Sequence, residues 1–349
     1  MGRPEVRAMH QRTAIRPPSL LRRAGDSAAA WLERSGVLKL QFQRQRGLRI
    51  LCYHGICADE LVGQPWVPPY FVGVSAFGQQ LETLRRFGPI VHLPDVADAL
   101  ASQRWSETSA SAITFDDVPA CTFALARPLL ARNGVRASFF ISTGQVTTGR
   151  LFWSDLLRVL RHEAQLLSAR ERAALEWLLA DPAQHKQMTL MQLFATLEQC
   201  ERAVRSHLAA TVRETLRPLN WQEVRALADD GHDIGGHTVD HVILGWQPDD
   251  IRRQQIRGCL EAIEERLGRR PVGFAYPNGG PGDFGLRDWE IMRSFGVRYA
   301  VSTCPGFAPG PGVFALPRLT VGGALTTARF ALELCGWLDG RRRRQYGWR

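Results

Sequence analysis

Lysine is nearly absent from this chain: Lys39 and Lys186 are the only two, so almost all of the 44 basic residues are arginine. A broad basic surface is missing as well. Residues 1–50 carry a net +8 and the tail RRRRQYGWR (341–349) a further +5, which leaves −3 for everything between against a total of +10. A body with that balance lacks the basic excess of a duplex-binding domain, so no nucleic-acid partner is expected. The arginine bias then reads as codon composition rather than phosphate recognition. No CxxC pair occurs among the seven scattered cysteines, which argues against a disulfide framework or a zinc knuckle and suits reduced thiols. There is no internal repeat, no apolar stretch near 18 residues and no apolar segment of signal-peptide length at the N-terminus. A cytoplasmic protein is the expectation, with peripheral contact at an anionic inner membrane face as the one membrane association left open.

What is present is enough apolar residue, 45% of 349, for one large α/β domain. An arginine-rich arm, residues 1–47, comes first. Within it Leu20, Leu21, Ala24, Ala28, Trp31 and Leu32 recur near helical spacing. Such a helix either lies on an anionic membrane or packs on the body; the shortness of the stripe favours packing. Strand-like and helix-like segments then alternate. LRILCYH (48–54), IVHL (90–93), SAITFDD (111–117), RASFFIST (136–143), HDIGGHT (232–238), VGFAYP (272–277), VRYAVST (297–303) and VFALPRLTV (313–321) read as strands. SAFGQQLETLRRFG (75–88) and DDIRRQQIRGCLEAIEERLG (249–268) read as helices, the second stopped by Gly268. Buried strands alternating with helices imply a parallel sheet, and about seven to eight of them in one domain favour barrel closure. We therefore expect a barrel over 48–322, a helical insertion at about 150–220, and a C-terminal helix with a basic tail at 323–349.

Chemistry in a parallel barrel collects where strands end. Asp116 and Asp117 sit at such an end, as do the histidines of HDIGGHTVDH, the Tyr of FAYPNGG and the His of CYHGI. His237 and His241, four residues apart, can turn both imidazoles toward one ion. Two imidazoles and one carboxylate leave coordination open, as a catalytic Zn²⁺ site requires, and Asp117 is the natural third ligand. Asp116 would then lie beside the ion without binding it, placed to take a proton from water. A cation there would keep both adjacent acids ionised. Each element alone has a plainer explanation: paired Asp can be a helix cap plus a surface acid, and His232 shows that a histidine in this segment can be structural.

TFDD, HTVDH, FAYPNG and LPRLTV, in this order, resemble the polysaccharide deacetylases of the carbohydrate esterase type, the NodB-homology group, over roughly residues 48–322. The resemblance implies a distorted (β/α) barrel and metal-dependent removal of acetyl from N-acetylated sugars of a polysaccharide or lipid-linked glycan. Carried over by position, Asp116 matches the catalytic base, and Asp117, His237 and His241 the ligands of Zn²⁺ or another divalent ion such as Co²⁺, Mn²⁺ or Ni²⁺. Tyr276 falls in the motif whose backbone N–H helps bind the oxyanion. The late His that usually serves as general acid is missing here, since no His follows His241. His54 resembles the acid His near the start of permuted members; His92 is the alternative. Val118 and Pro119 replace the Gly usual after the Asp pair. GFAYPNGG lacks the Arg that usually pairs with the base, a gap Arg318 could fill from another strand end. Trp153, Trp246 and Trp289 are candidates for stacking on sugar rings, with a core role as the plainer reading.

Three other functions share parts of this pattern. A degenerate member that binds glycan without turnover is favoured by the missing late His and opposed by the complete Asp-His-His set. A haloacid-type phosphatase needs a second acid where Val118 stands. An iron oxygenase can use two His and one carboxylate, though usually with the His and Asp close in sequence.

Overall fold

The computed structural model describes residues 20–345 apart from 103, 106–107, 163–167, 171, 174–200, 202–207, 310–311 and 324, with residues 20–26 by their backbone alone. Seven parallel strands form one sheet. They are β1 (Leu48–Tyr53), β4 (Ala110–Asp116), β5 (Ser138–Ile141), β6 (Asp233–Gly236), β7 (Gly273–Ala275), β8 (Tyr299–Val301) and β9 (Arg318–Thr320), in the spatial order β8-β7-β6-β5-β4-β1-β9. Two short strands, β2 (Ile56–Cys57) and β3 (Val72–Gly73), pair separately. The edges β8 and β9 nearly meet. Leu316 bridges Val301, Ser302 N–H donates to Leu316 O at 2.9 Å, and Arg318 N–H donates to Cys304 O at 2.8 Å. The sheet thus curls into a nearly closed barrel.

All six residues of β1 and all seven of β4 are buried. Burial without alternation is what a central parallel strand with both faces covered requires. One core lies between the strands and the outer helices and contains Leu51, Phe115, Phe139, Ile234 and Leu319. The pairing register sets Tyr53 beside Phe115, Asp116 beside Phe140, Ile141 beside Gly236, and Ala275 beside Val301. The strands therefore end at nearly one level, and the residue after each end faces the same rim.

Helices fall where expected at Val74–Phe87 and Asp249–Leu267. The second ends at Gly268 with φ 72°, a left-handed conformation that costs glycine little. The arm forms two helices, Leu20–Arg34 and Val37–Arg44, broken at Gly36. Ala29, Leu38 and Phe42 bury themselves against the body, whereas Trp31, Val37 and Leu40 are exposed. The packed face is not the stripe itself: of its described members Ala28 and Trp31 are exposed and Leu32 is half-buried, while Ala29 beside them is buried; residues 1–19 lie outside the described residues. Of the 150–220 insertion, helices Trp153–His162 and Ala210–Leu216 are described, and much of 163–207 is not.

Two strand assignments need correction. IVHL supplies only one bridge, Ile90 to Ser111, because His92 already caps the helix Leu93–Ala101, with a proline in its first turn. VFALPRLTV shortens to Arg318–Thr320, preceded by Pro317, which has no N–H to give a ladder.

Candidate active site

Five of the six non-glycine residues with positive φ among the described residues gather at the rim: Asp117 (63°), Val118 (45°), Thr238 (64°), His241 (55°) and Asn278 (62°). Strained backbone of this kind persists where surrounding structure over-determines it, often at functional sites. At Asp117 the chain turns sharply, and Val118 N–H donates to Asp116 O at 2.6 Å. This turn separates the two acids. Asp116 ends β4 and points into the barrel, 3% exposed, while Asp117 faces the histidines after β6. Positive φ at Val118 also accounts for the glycine common at that place in the resembling family, since only glycine adopts it without strain.

Asp117 Oδ1 lies 3.4 Å from His237 Nε2 and 3.1 Å from His241 Nε2, and all three ligand atoms fall within 4.8 Å of one another. Neither approach has hydrogen-bond geometry: that oxygen is buried without a donor. The His237 ring is oriented from behind, its Nδ1–H donating to Ala275 O at 2.8 Å, which leaves the Nε2 lone pair toward Asp117. A buried carboxylate oxygen facing two imidazole nitrogens without hydrogen-bond geometry is costly unless a cation sits among them. Burial would push the His241 imidazole down, but the Asp117 carboxylate outweighs it and holds the pKa above the usual value. Burial would raise Asp117 in turn, yet His241 and His237 hold it well below the ordinary carboxylate range. One carboxylate and two imidazoles fit a divalent cation with open coordination positions.

Asp116 is separate from this trio. Arg318 Nη1 reaches its Oδ1 at 2.7 Å and Nη2 its Oδ2 at 2.6 Å, a bidentate pair with a fully buried guanidinium. Further donors from Arg318 go to Ser302 O at 2.8 Å and Thr114 Oγ1 at 3.1 Å. Burial would raise the Asp116 pKa, but Arg318 outweighs it and keeps the carboxylate ionised. An Arg does face Asp116, with one correction to its origin. Arg318 begins β9, beside Ile50, so its side chain reaches up through the barrel and not from a strand end.

His54 follows β1, and one of its ring nitrogens lies within 4.8 Å of an Asp116 oxygen and of Cys52 Sγ. Burial lowers its pKa against the pull of Asp116 and Asp117. It lines a cleft of about 630 Å³ together with Tyr70, Asn278, Asp283, Thr303 and Arg342. His92, the alternative acid, is at the other end of the barrel, near Asp233 and Asp95, because it precedes β4 where the histidines of the site follow strand ends. Tyr276 also departs from expectation. Its N–H donates to Val301 O at 3.3 Å and its hydroxyl to Phe314 O at 2.8 Å, so the N–H meant for an oxyanion is engaged in the barrel ladder. None of Trp153, Trp246 and Trp289 lines the cleft; its aromatic wall is Tyr70.

Two residues escaped the sequence reading. Tyr70 hydroxyl donates to Asp155 Oδ1 at 3.1 Å, and burial, aided by Asp117, raises the Asp155 pKa to about 7. Asp155 reads as an ordinary helix-start acid inside an insertion, and no spacing rule ties it to a Tyr 85 residues earlier.

No curated protein matches the chain. Solved structures of similar fold include the Streptococcus pyogenes deacetylase PplD in complex with acetate, at 16% identity, 82% of this chain and 98% of that one, with a TM-score of 0.56. IcaB from Ammonifex degensii is 19% identical, over 85% of this chain and 98% of its own, with a TM-score of 0.52. A de-N-acetylase from Aggregatibacter actinomycetemcomitans is 12% identical, over 82% and 99%, with a TM-score of 0.54. At these identities the likeness speaks for the barrel alone. The polysaccharide deacetylase model matches residues 105–300, a span that includes Asp116, Asp117, His237 and His241 but not His54, Tyr70 or Arg318. With that match over more than half of its length, the chain belongs to the polysaccharide deacetylase family.

Proposed function

We propose that this protein is a metal-dependent de-N-acetylase acting on N-acetylated sugars of a polysaccharide or lipid-linked glycan. The observation that carries this reading is the Asp117–His237–His241 trio set beside, but apart from, the Asp116–Arg318 pair. A divalent cation held by Asp117, His237 and His241 would supply Lewis acidity and lower the pKa of a water molecule. Asp116, kept ionised by Arg318, takes a proton from the attacking water. His54, with a ring nitrogen within 4.8 Å of an Asp116 oxygen, gives a proton to the departing amine, which leaves poorly without one. Burial lowers its pKa, while the negative charges of Asp116 and Asp117 pull the other way and favour the protonated ring.

The test is acetate and free-amine release from a panel of N-acetylated glycans, soluble and lipid-linked, by protein reconstituted with Zn²⁺ or Co²⁺. Asp116→Asn and His54→Asn should each lose about 100-fold or more in turnover. Wild-type rates in Asp116→Asn would remove the base from this scheme. For location, the +8 charge of residues 1–50 and the exposed Trp31 and Leu40 support work on a glycan at the anionic inner face of the cytoplasmic membrane. Equal binding of wild type and an arm-neutralised variant to anionic vesicles would sink that placement.

A further inference from the structure

Two imidazole rings of the site, those of His237 and His54, are held in different ways. His237 is fixed by a hydrogen bond from Nδ1 to Ala275 O. His54 Nδ1 is buried and has no hydrogen-bond partner, so no bond at that nitrogen fixes the ring. The aromatic ring packed on it is Tyr70, with centroids 4.8 Å apart and planes at 51°. Tyr70 is anchored in turn. Its hydroxyl donates to buried Asp155 on helix Trp153–His162, and the same segment sets Phe152 edge-on to His241 at 5.3 Å.

The backbone beside Tyr70 is also fixed. Val72 N–H donates to Gly55 O at 2.9 Å, and Gly323 N–H to Pro69 O at 3.2 Å. A Cβ on Gly55 would stand 2.4 Å from the Phe71 ring, and one on Gly323 2.0 Å from Phe71 O. Both glycines admit the 69–71 segment at a distance no side chain would allow, and Gly55 directly follows His54.

We propose that Tyr70 and Asp155 are positioning residues for His54. The hydroxyl–carboxylate bond ties the 58–71 loop to the helix inserted after β5 and presses the Tyr70 ring on the imidazole, aiming it at the leaving amine. The inserted segment is then part of the catalytic centre and not an appendage. This inference rests on His54 being the general acid, and the experiment separates the two.

Tyr70→Phe and Asp155→Leu both break the bond, the first by removing the donor and the second by removing the acceptor at similar side-chain size. With an N-acetylated glycan, each should lower kcat about 10- to 100-fold with little change in KM, as expected for a misplaced catalytic group. With 4-nitrophenyl acetate, whose leaving group needs no proton, the same variants should stay within about twofold of wild type. The double variant should be no slower than the worse single, because one bond is broken in all three. Equal losses on amide and ester, or unchanged kcat on the amide, would overturn the proposal. Should His54→Asn keep full amide turnover, the acid assignment itself fails. A readout without substrate covers a protein that accepts none of the probes: the His54 ring-proton resonances. They carry the ring-current shift of Tyr70, and both variants should move them. Resonances left in place would equally overturn the pairing.

Discussion

Arg318 holds both carboxylate oxygens of Asp116 from a strand 202 residues later in the chain, with neither side chain more than 4% exposed. The pair divides the labour at the barrel end. One acid is fixed by a permanent cation of the protein, while its neighbour, Asp117, faces the His237 and His241 imidazoles.

Removing Arg318 should therefore be costly. Arg318→Met leaves a buried carboxylate without its counter-charge, and chemical denaturation should show a loss of about 3–5 kcal/mol. Arg318→Met with Asp116→Asn should recover much of that stability while remaining inactive. Equal stability of the single and double variants would contradict a buried, desolvated pair.

Chelation should separate chemistry from fold. Stripping divalent ions should abolish acetate release, and adding Zn²⁺ or Co²⁺ should restore it. Asp117→Asn should bind far less than the one equivalent per chain retained by wild type, measured by elemental analysis after dialysis.

The other barrel end should respond to acid. Burial lowers the His232 pKa to about 4, with its Nδ1 accepting from Ala137 N–H at 3.2 Å. The unfolded chain takes up this proton near pH 6.5 and the folded chain only near 4, so the stability from neutral His232 is full above 6.5 and is lost as pH falls through that window. Asp155, with its pKa raised to about 7, acts in the opposite direction. The clean measurement is thus the difference between wild type and His232→Gln, which should shrink from pH 7 to pH 4. A difference independent of pH would show that His232 titrates normally.

Val118 supplies a backbone prediction. Replacing it with glycine removes a buried side chain worth about 1.5–3 kcal/mol but relieves positive φ worth about 1–3 kcal/mol. Val118→Gly should therefore be clearly milder in thermal melts than Val301→Gly, where the same burial is lost from an ordinary strand. Equal losses would mean that the turn stores no strain.

Much of this could be read in advance. The barrel was legible because uninterrupted burial along parallel strands writes apolar runs such as SAITF directly into the chain. Asp116, Asp117, His237 and His241 were legible because each ends such a run, or follows its end within a few residues. IVHL misled because four apolar-flanked residues suit a strand or a helix start equally well, and His92 turned out to be the cap. The engaged N–H of Tyr276 was invisible because ladder partners depend on register, which no local pattern records. Arg318 was anticipated as a partner, but not its route through the barrel interior.

Local chemistry, then, determined the element types, the strand-end acids and the imidazole spacing, since these depend on side-chain periodicity and short-range turns. Only the tertiary structure decided which group faces which. Pairing of β4 and β9 on either side of β1 brings Arg318 to Asp116, and an inserted helix brings Asp155 to Tyr70, whose ring packs on His54. Such contacts join residues tens to hundreds of positions apart, where packing and not sequence proximity sets the distance.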